Sequence, residues 1–158
     1  MNALEFMVPG VARPKARPRF SKGRIYTDDP TAKWEATVRA YALQATGTWA
    51  RSHGERWPLD AHDYAVSMVF AGQNRADIDN LAKAVLDACN EVLYDDDKRI
   101  ATLLTSRVLD DAAALYVRVT ASLRDHPVWY GLGWPKMIAT LVPSAFVPAA
   151  SESAGYAP

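Results

Sequence analysis

The apolar positions change period along the chain, and each change marks an element. Leu4-Glu5-Phe6-Met7-Val8 reads as a short strand stopped by Pro9-Gly10. Asp29-Pro30 supplies an N-cap acceptor and a proline at the first helical position. Trp34, Val38, Tyr41, Ala42 and Ala45 then recur at helical spacing, and Gly47 is the expected stop. That periodicity assigns Trp34 and Tyr41 to the core rather than to base stacking. Thr48 to His62 reads as a polar connection whose Trp49 and Trp57 cover the core's edge. Tyr64 to Phe70 is a mostly apolar, strand-like run, and Ala71-Gly72 releases the chain.

A second helix is expected to begin near Asp79 or Asn80, with Leu81, Val85, Ala88 and Val92 as its buried stripe and Cys89 beside them. Ile100, Thr102 and Leu104 alternate with Ala101, Leu103 and Thr105. After a turn at Asp110-Asp111-Ala112, Leu115, Val117 and Val119 alternate with Tyr116, Arg118 and Thr120, so these two strands read as a hairpin. The order is strand, helix, strand, helix, strand, strand. It predicts a single α+β domain with a mixed β-sheet and helices packed on it. From His126 the pattern dissolves into Trp129, Tyr130 and Trp134 among prolines and glycines, and the final dozen residues are expected to be disordered. The division expected is therefore a domain over 1–124 and a Pro- and aromatic-rich extension over 125–158.

The length suits one domain with an ordinary core. Cys89 is the only cysteine, which excludes a disulfide framework and a thiolate zinc site. The N-terminus lacks the features of a signal peptide, and no apolar run approaches a membrane span, so a cytoplasmic protein is expected.

A formal net charge of zero hides strong segregation. Arg13, Lys15, Arg17, Arg19, Lys22 and Arg24 form a basic arm with no acid among them, kept extended by Pro14 and Pro18. Most charge runs are solvated loops, but cations without counter-charge are the usual contacts to nucleic-acid phosphates. Residues 17–26 themselves read as a loop or a ragged hairpin. Conversely, Asp77 to Asp97 holds seven acidic residues and one basic residue, Lys83. Self-repulsion there calls for a cation.

Taken singly, these acids have ordinary roles: Asp79 as a helix N-cap, Asp96 and Asp97 as turn formers. Their grouping changes the reading. Two carboxylates two residues apart on an extended segment face one side, and a strand end, a helix start and the next strand's start are expected to meet at one sheet edge. Three carboxylates there would hold a hard cation, magnesium or manganese rather than zinc. Counted from Asp77, an EF-hand needs Gly where Ala82 stands and Glu where Ala88 stands, so that calcium loop is excluded. His53, His62 and His126 lack metal-ligand spacing. Lys83 lies four residues past Asp79, about 6 Å along the axis. It can pair with Asp79 or Asp87, or place a water or scissile phosphate and stabilise developing charge. No Gly-Lys-Ser/Thr phosphate loop and no Gly-x-Ser-x-Gly elbow occurs.

The run Asp77-Ile78-Asp79-Asn80-Leu81-Ala82-Lys83, the helix with Leu86-Asp87-Ala88, and Tyr94-x-Asp96-Asp97 with Ile100 resemble the RusA family of Holliday junction resolvases. Arg17-Pro18-Arg19-Phe20 adds to the likeness, which covers the chain to about Ser122. Lys98-Arg99 and the tail beyond Ser122 depart from the family pattern. The resemblance implies a Mg²⁺-dependent endodeoxyribonuclease of DNA recombination and repair that resolves four-way junctions as a homodimer. Asp77, Asp79 and Asp97 would be metal ligands, Asp96 a reserve ligand and Lys83 the catalytic lysine. A two-fold protein suits paired cuts in a two-fold junction. One alternative is a non-catalytic DNA-binding module, in which the acids are caps and turns. Another is a nuclease for other branched DNA.

Overall fold

The computed structural model describes residues 2–15, 19–21, 24–26, 29–60, 62–123 and 143–146. Strand β1 (Asn2–Pro9) is followed by a small antiparallel pair, β2 (Arg19–Ser21) and β3 (Arg24–Tyr26), and then by helix α1 (Asp29–His53). Next come β4 (His62–Ala71), α2 (Ile78–Cys89), a 3-10 turn (Asp97–Arg99), β5 (Ile100–Val108) and β6 (Ala114–Leu123). Within the basic arm, Arg19–Ser21 and Arg24–Tyr26 thus pair as two short antiparallel strands. The expected mixed sheet is present with strand order β1-β6-β4-β5.

Helix α1 runs through Gly47 and ends at His53. Gly54, at φ +75°, takes the left-handed position that stops it, and its N–H donates to the Ala50 carbonyl at 2.9 Å. Gly47 is tolerated inside the helix because its neighbours Thr46 and Trp49 are buried there, so packing outweighs the glycine's poor helix propensity. Trp49 and Trp57 close the core's edge as expected, both 6% exposed with rings 5.1 Å apart.

The core lies between one sheet face and the two helices. Leu4, Val8, Tyr64, Val66, Met68, Phe70, Leu115, Val117 and Val119 meet Val38, Ala42, Leu81 and Val85. Burying each such side chain stabilises by about 1.5–3 kcal/mol. Strand β4 is central and buried on both faces from Tyr64 to Ala71, which is why it reads as a continuous apolar run rather than an alternation.

The expected hairpin is not formed. β5 pairs parallel with β4, β6 pairs antiparallel with β4 on its other side, and β5 and β6 are not neighbours. The connection after β5 therefore crosses the end of β4 at Gly72, whose φ is +115° and whose N–H donates to the Val108 carbonyl at 3.0 Å. A Cβ at Gly72 would sit 3.1 Å from the Ala113 Cα. Alternation shows that a strand has two unlike faces and does not name its partner.

Beyond β6, Pro143 to Phe146 lies on the opposite sheet face. The Ser144 N–H donates to Glu5 Oε1 at 3.1 Å, and the Phe146 ring meets Tyr116 edge to face at 4.9 Å. The expectations for Trp129, Tyr130, Trp134 and the last dozen residues lie outside the described residues. No helix of the described residues is long and apolar enough to cross a membrane.

Candidate active site

Helix α2 begins one residue earlier than its apolar pattern indicates. Asp77, not Asp79, takes the N-cap position, in extended conformation and with no side-chain capping bond. Its carboxylate is therefore not consumed by the helix end, although the Asn80 amide approaches it at 3.5 Å. Asp79 lies in the first turn, and both carboxylates are exposed. The positive end of the helix dipole stabilises negative charge there. Part of the repulsion that called for a cation is thus met by the backbone itself.

Three strands of chain fix this corner. The Asn74 amide donates to the Ala12 carbonyl at 2.7 Å, while its oxygen accepts from the Ala76 N–H at 3.0 Å. The Lys15 N–H donates to the Asn80 carbonyl at 2.8 Å. From β5, the Arg107 guanidinium donates to the Ala76 carbonyl. Gln73, Asn74, Arg75, Arg107, Asp110 and Asp111 line an open cleft of about 680 Å³ beside it. Arg75 and Arg107 are cations that the pattern of the chain did not single out. Arg75 stands two residues before Asp77 and was visible, whereas Arg107 reaches the corner only through β5's register opposite Phe70.

Lys83 pairs with Asp87 rather than Asp79, Nζ to Oδ1 at 2.9 Å. Asp87 also holds Lys15, Oδ2 to Nζ at 3.0 Å, and Lys15 reaches Glu35 on α1 at 2.8 Å. Burial by itself would raise the Asp87 carboxyl, but the bonds from Lys83 and Lys15 outweigh it and hold the pKa below the ordinary value. Burial likewise opposes the charge on Lys15, and Glu35 and Asp87 outweigh it, raising that amine. Of the basic arm, then, Lys15 is turned inward and Arg13 is exposed. The backbones of Arg19 and Arg24 lie in β2 and β3, while Arg17 and Lys22 lie outside the described residues.

The second acidic run divides by role. Asp95 pairs with Arg99, whose guanidinium also donates to the His62 and Leu59 carbonyls and lies 5.3 Å from the Tyr64 ring centre. Asp96 caps the 3-10 turn by accepting from the Lys98 N–H at 2.9 Å, and that bond is the main cause of its lowered pKa. Asp97 is left exposed at the head of the turn, next to the Asp96 carboxyl. Arg99 thus anchors the turn at the start of β5.

The expected meeting of Asp77, Asp79 and Asp97 does not occur within one chain. Because β4 and β5 are parallel, the end of β4 and the start of β5 lie at opposite ends of the sheet. Asp77 is at the Arg107 end and Asp97 at the Ile100 end. That is roughly 23 Å of strand. Among the described residues, no group of three or more His, Cys, Asp or Glu is placed to hold a metal ion. The donor chemistry fits a hard cation, and the placement in a single chain does not.

Residues 9–120 match the family model described as Endodeoxyribonuclease RusA. No curated protein matches the chain.

Proposed function

Since the chain belongs to the RusA endodeoxyribonuclease family, we propose that it cuts DNA phosphodiesters at four-way junctions in recombination and repair. The family match carries this reading, because it spans Asp77, Asp79, Lys83 and Asp97 together. In the proposed cycle these three aspartates serve a Mg²⁺ or Mn²⁺ requirement, and the enzyme acts as a homodimer so that two sites address two strands.

The chain's own residues would act as follows. Arg75 and Arg107, beside the cleft at the Asp77 corner, draw a phosphate backbone towards it. Exposed Arg13, with Arg17, Arg19, Lys22 and Arg24 of the arm, extends that grip to flanking phosphates. The Arg107 and Asn74 hydrogen bonds hold the turn that presents Asp77. Lys83, one turn past Asp79 and held at its Nζ by Asp87, places an ammonium where charge develops on the cleaved phosphate.

The test is cleavage of a synthetic four-way junction beside a linear duplex, with Mg²⁺ or EDTA, by wild type, Asp79→Asn and Lys83→Ala. Paired nicks near the branch point should vanish with EDTA and with Asp79→Asn. Full Mg²⁺-dependent cleavage by Asp79→Asn would refute the reading. Junction binding without cleavage by wild type would instead identify a binding module. Preferential cutting of flaps would identify a nuclease for other branched DNA.

A further inference from the structure

We propose that Asp87 and Lys15 are positioning residues for the cleavage step: Asp87 aims the Lys83 ammonium, and Lys15, at the root of the basic arm, holds Asp87 in place. The inference rests on Lys83 as the group that meets charge developing on the cleaved phosphate, and adds what keeps that group aimed. A lysine on an open helix face turns through many rotamers, and fixing it costs up to about 2 kcal/mol. The Lys83 side chain is 58% exposed, yet its Nζ is already held by Asp87 Oδ1 at 2.9 Å.

Helix stability does not account for Asp87. It stands in the last turn of α2, where the helix dipole disfavours an acid, and no basic residue accompanies it in that turn. The pair also runs from lysine to acid along the chain, the weaker of the two orders for residues four apart. An exposed pair of this kind contributes about 0.5 kcal/mol at most and does not fix a long side chain. What sets Asp87 apart is a second lysine. Its Oδ2 accepts from Lys15 Nζ at 3.0 Å, so each carboxylate oxygen serves one ammonium.

Lys15 can hold a carboxylate because it is itself held. Its Nζ reaches Glu35 Oε1 on α1 at 2.8 Å, and its N–H donates to the Asn80 carbonyl at 2.8 Å. Just before it, the Pro14 carbonyl accepts from the Thr31 hydroxyl at 3.3 Å, and the Ala12 carbonyl from the Asn74 amide at 2.7 Å. Lys15 therefore grips α2 at both ends, by its backbone in the first turn beside Asp79 and through Asp87 in the last. The side chains of Lys15, Glu35 and Asp87 are each less than a third exposed, so salt screens this group less than an open surface pair. The arm that grips flanking phosphates and the lysine that acts on the cleaved one are joined through these two side chains.

The test is single-turnover cleavage of a four-way junction in Mg²⁺ by the full chain, with each variant assayed below its own melting temperature. Two quantities are read: the rate at saturating enzyme, and the enzyme concentration that gives half that rate. Asp87→Asn should lower the saturating rate about 10-fold and leave the half-saturating concentration unchanged. Lys15→Met should show a smaller loss in the same quantity, and Asp87→Glu, which keeps the charge, should recover most of the rate. In a Lys83→Ala background neither Asp87→Asn nor Lys15→Met should cost anything further, because there is no ammonium left to aim. Should Asp87→Asn fail to fold, Lys15→Met carries the same comparison. Wild-type saturating rates in variants that merely melt earlier overturn the proposal, as does a loss that adds in full to that of Lys83→Ala. Full cleavage by Lys83→Ala also overturns it, while leaving Mg²⁺-dependent cutting through Asp79 to stand on its own test, so the two failures are distinct.

Discussion

Lys15 and Arg13 carry the same formal charge in different surroundings. Lys15 is held by Glu35 and Asp87 and by its own N–H on the Asn80 carbonyl, while Arg13 stands in solvent. Lys15→Met should therefore lower thermal stability and leave the salt dependence of DNA binding unchanged. Arg13→Gln should do the reverse, making the slope of log affinity against log salt shallower by about 1. Binding titrations at several salt concentrations, paired with thermal melts, separate the two. Asp87 yields a prediction in pH. Its folded pKa lies below the ordinary 3.8, so the stability of its ion pairs is present above that value and lost as pH falls through the folded one. Asp87→Asn should be less stable than wild type at neutral pH and should converge with it in acid. Melts taken downwards through the carboxylate range would show parallel curves if the pairs contribute nothing.

At the level of elements, Gly72 is where the chain tolerates least change. A valine there would meet the crossing backbone at Ala113 and be forced into a left-handed conformation. Gly72→Val should cost about 1–3 kcal/mol, measured by denaturant unfolding. A change below a few tenths would show that the crossing yields easily. This crossing was not legible beforehand. The runs around Leu104 and Leu115 announced two strands and their faces, but β4 enters between them from elsewhere in the chain. Both helices were legible from their periodicity, but the α1 end was misplaced because Gly47 is held by packing around it, and Val92, expected in the second helix's stripe, is buried in the turn just past the α2 end at Cys89. The acids were legible as a group, since Asp77, Asp79, Asp96 and Asp97 are close in sequence. What sequence proximity concealed is direction: α2 and a parallel β5 carry the chain back to the far end of the sheet before Asp97 appears. Arg107 was hidden for the same reason, reaching the Asp77 corner only through its register opposite Phe70.

For the molecule as a whole, the β5 edge, which among the described residues pairs with β4 alone, makes assembly a measurable property. Leu103→Arg adds a charge to a leucine that is 45% exposed on this edge strand, and should shift the proposed homodimer towards monomer in analytical ultracentrifugation while leaving each chain folded. A sedimentation profile identical to wild type would count against that edge as the contact. At the other edge, β1 has one strand neighbour among the described residues, β6, with Asn2 opposite Ala121 and Pro9 opposite Ala114. Strand β1 therefore has to wait for β6 during synthesis. Translation needs on the order of ten seconds to deliver β6 after β1. Throughout that interval β1 is an unpaired, partly apolar segment of the nascent chain. A chaperone that holds extended apolar segments should capture stalled chains ending before Ala114 and release them once Leu123 has emerged.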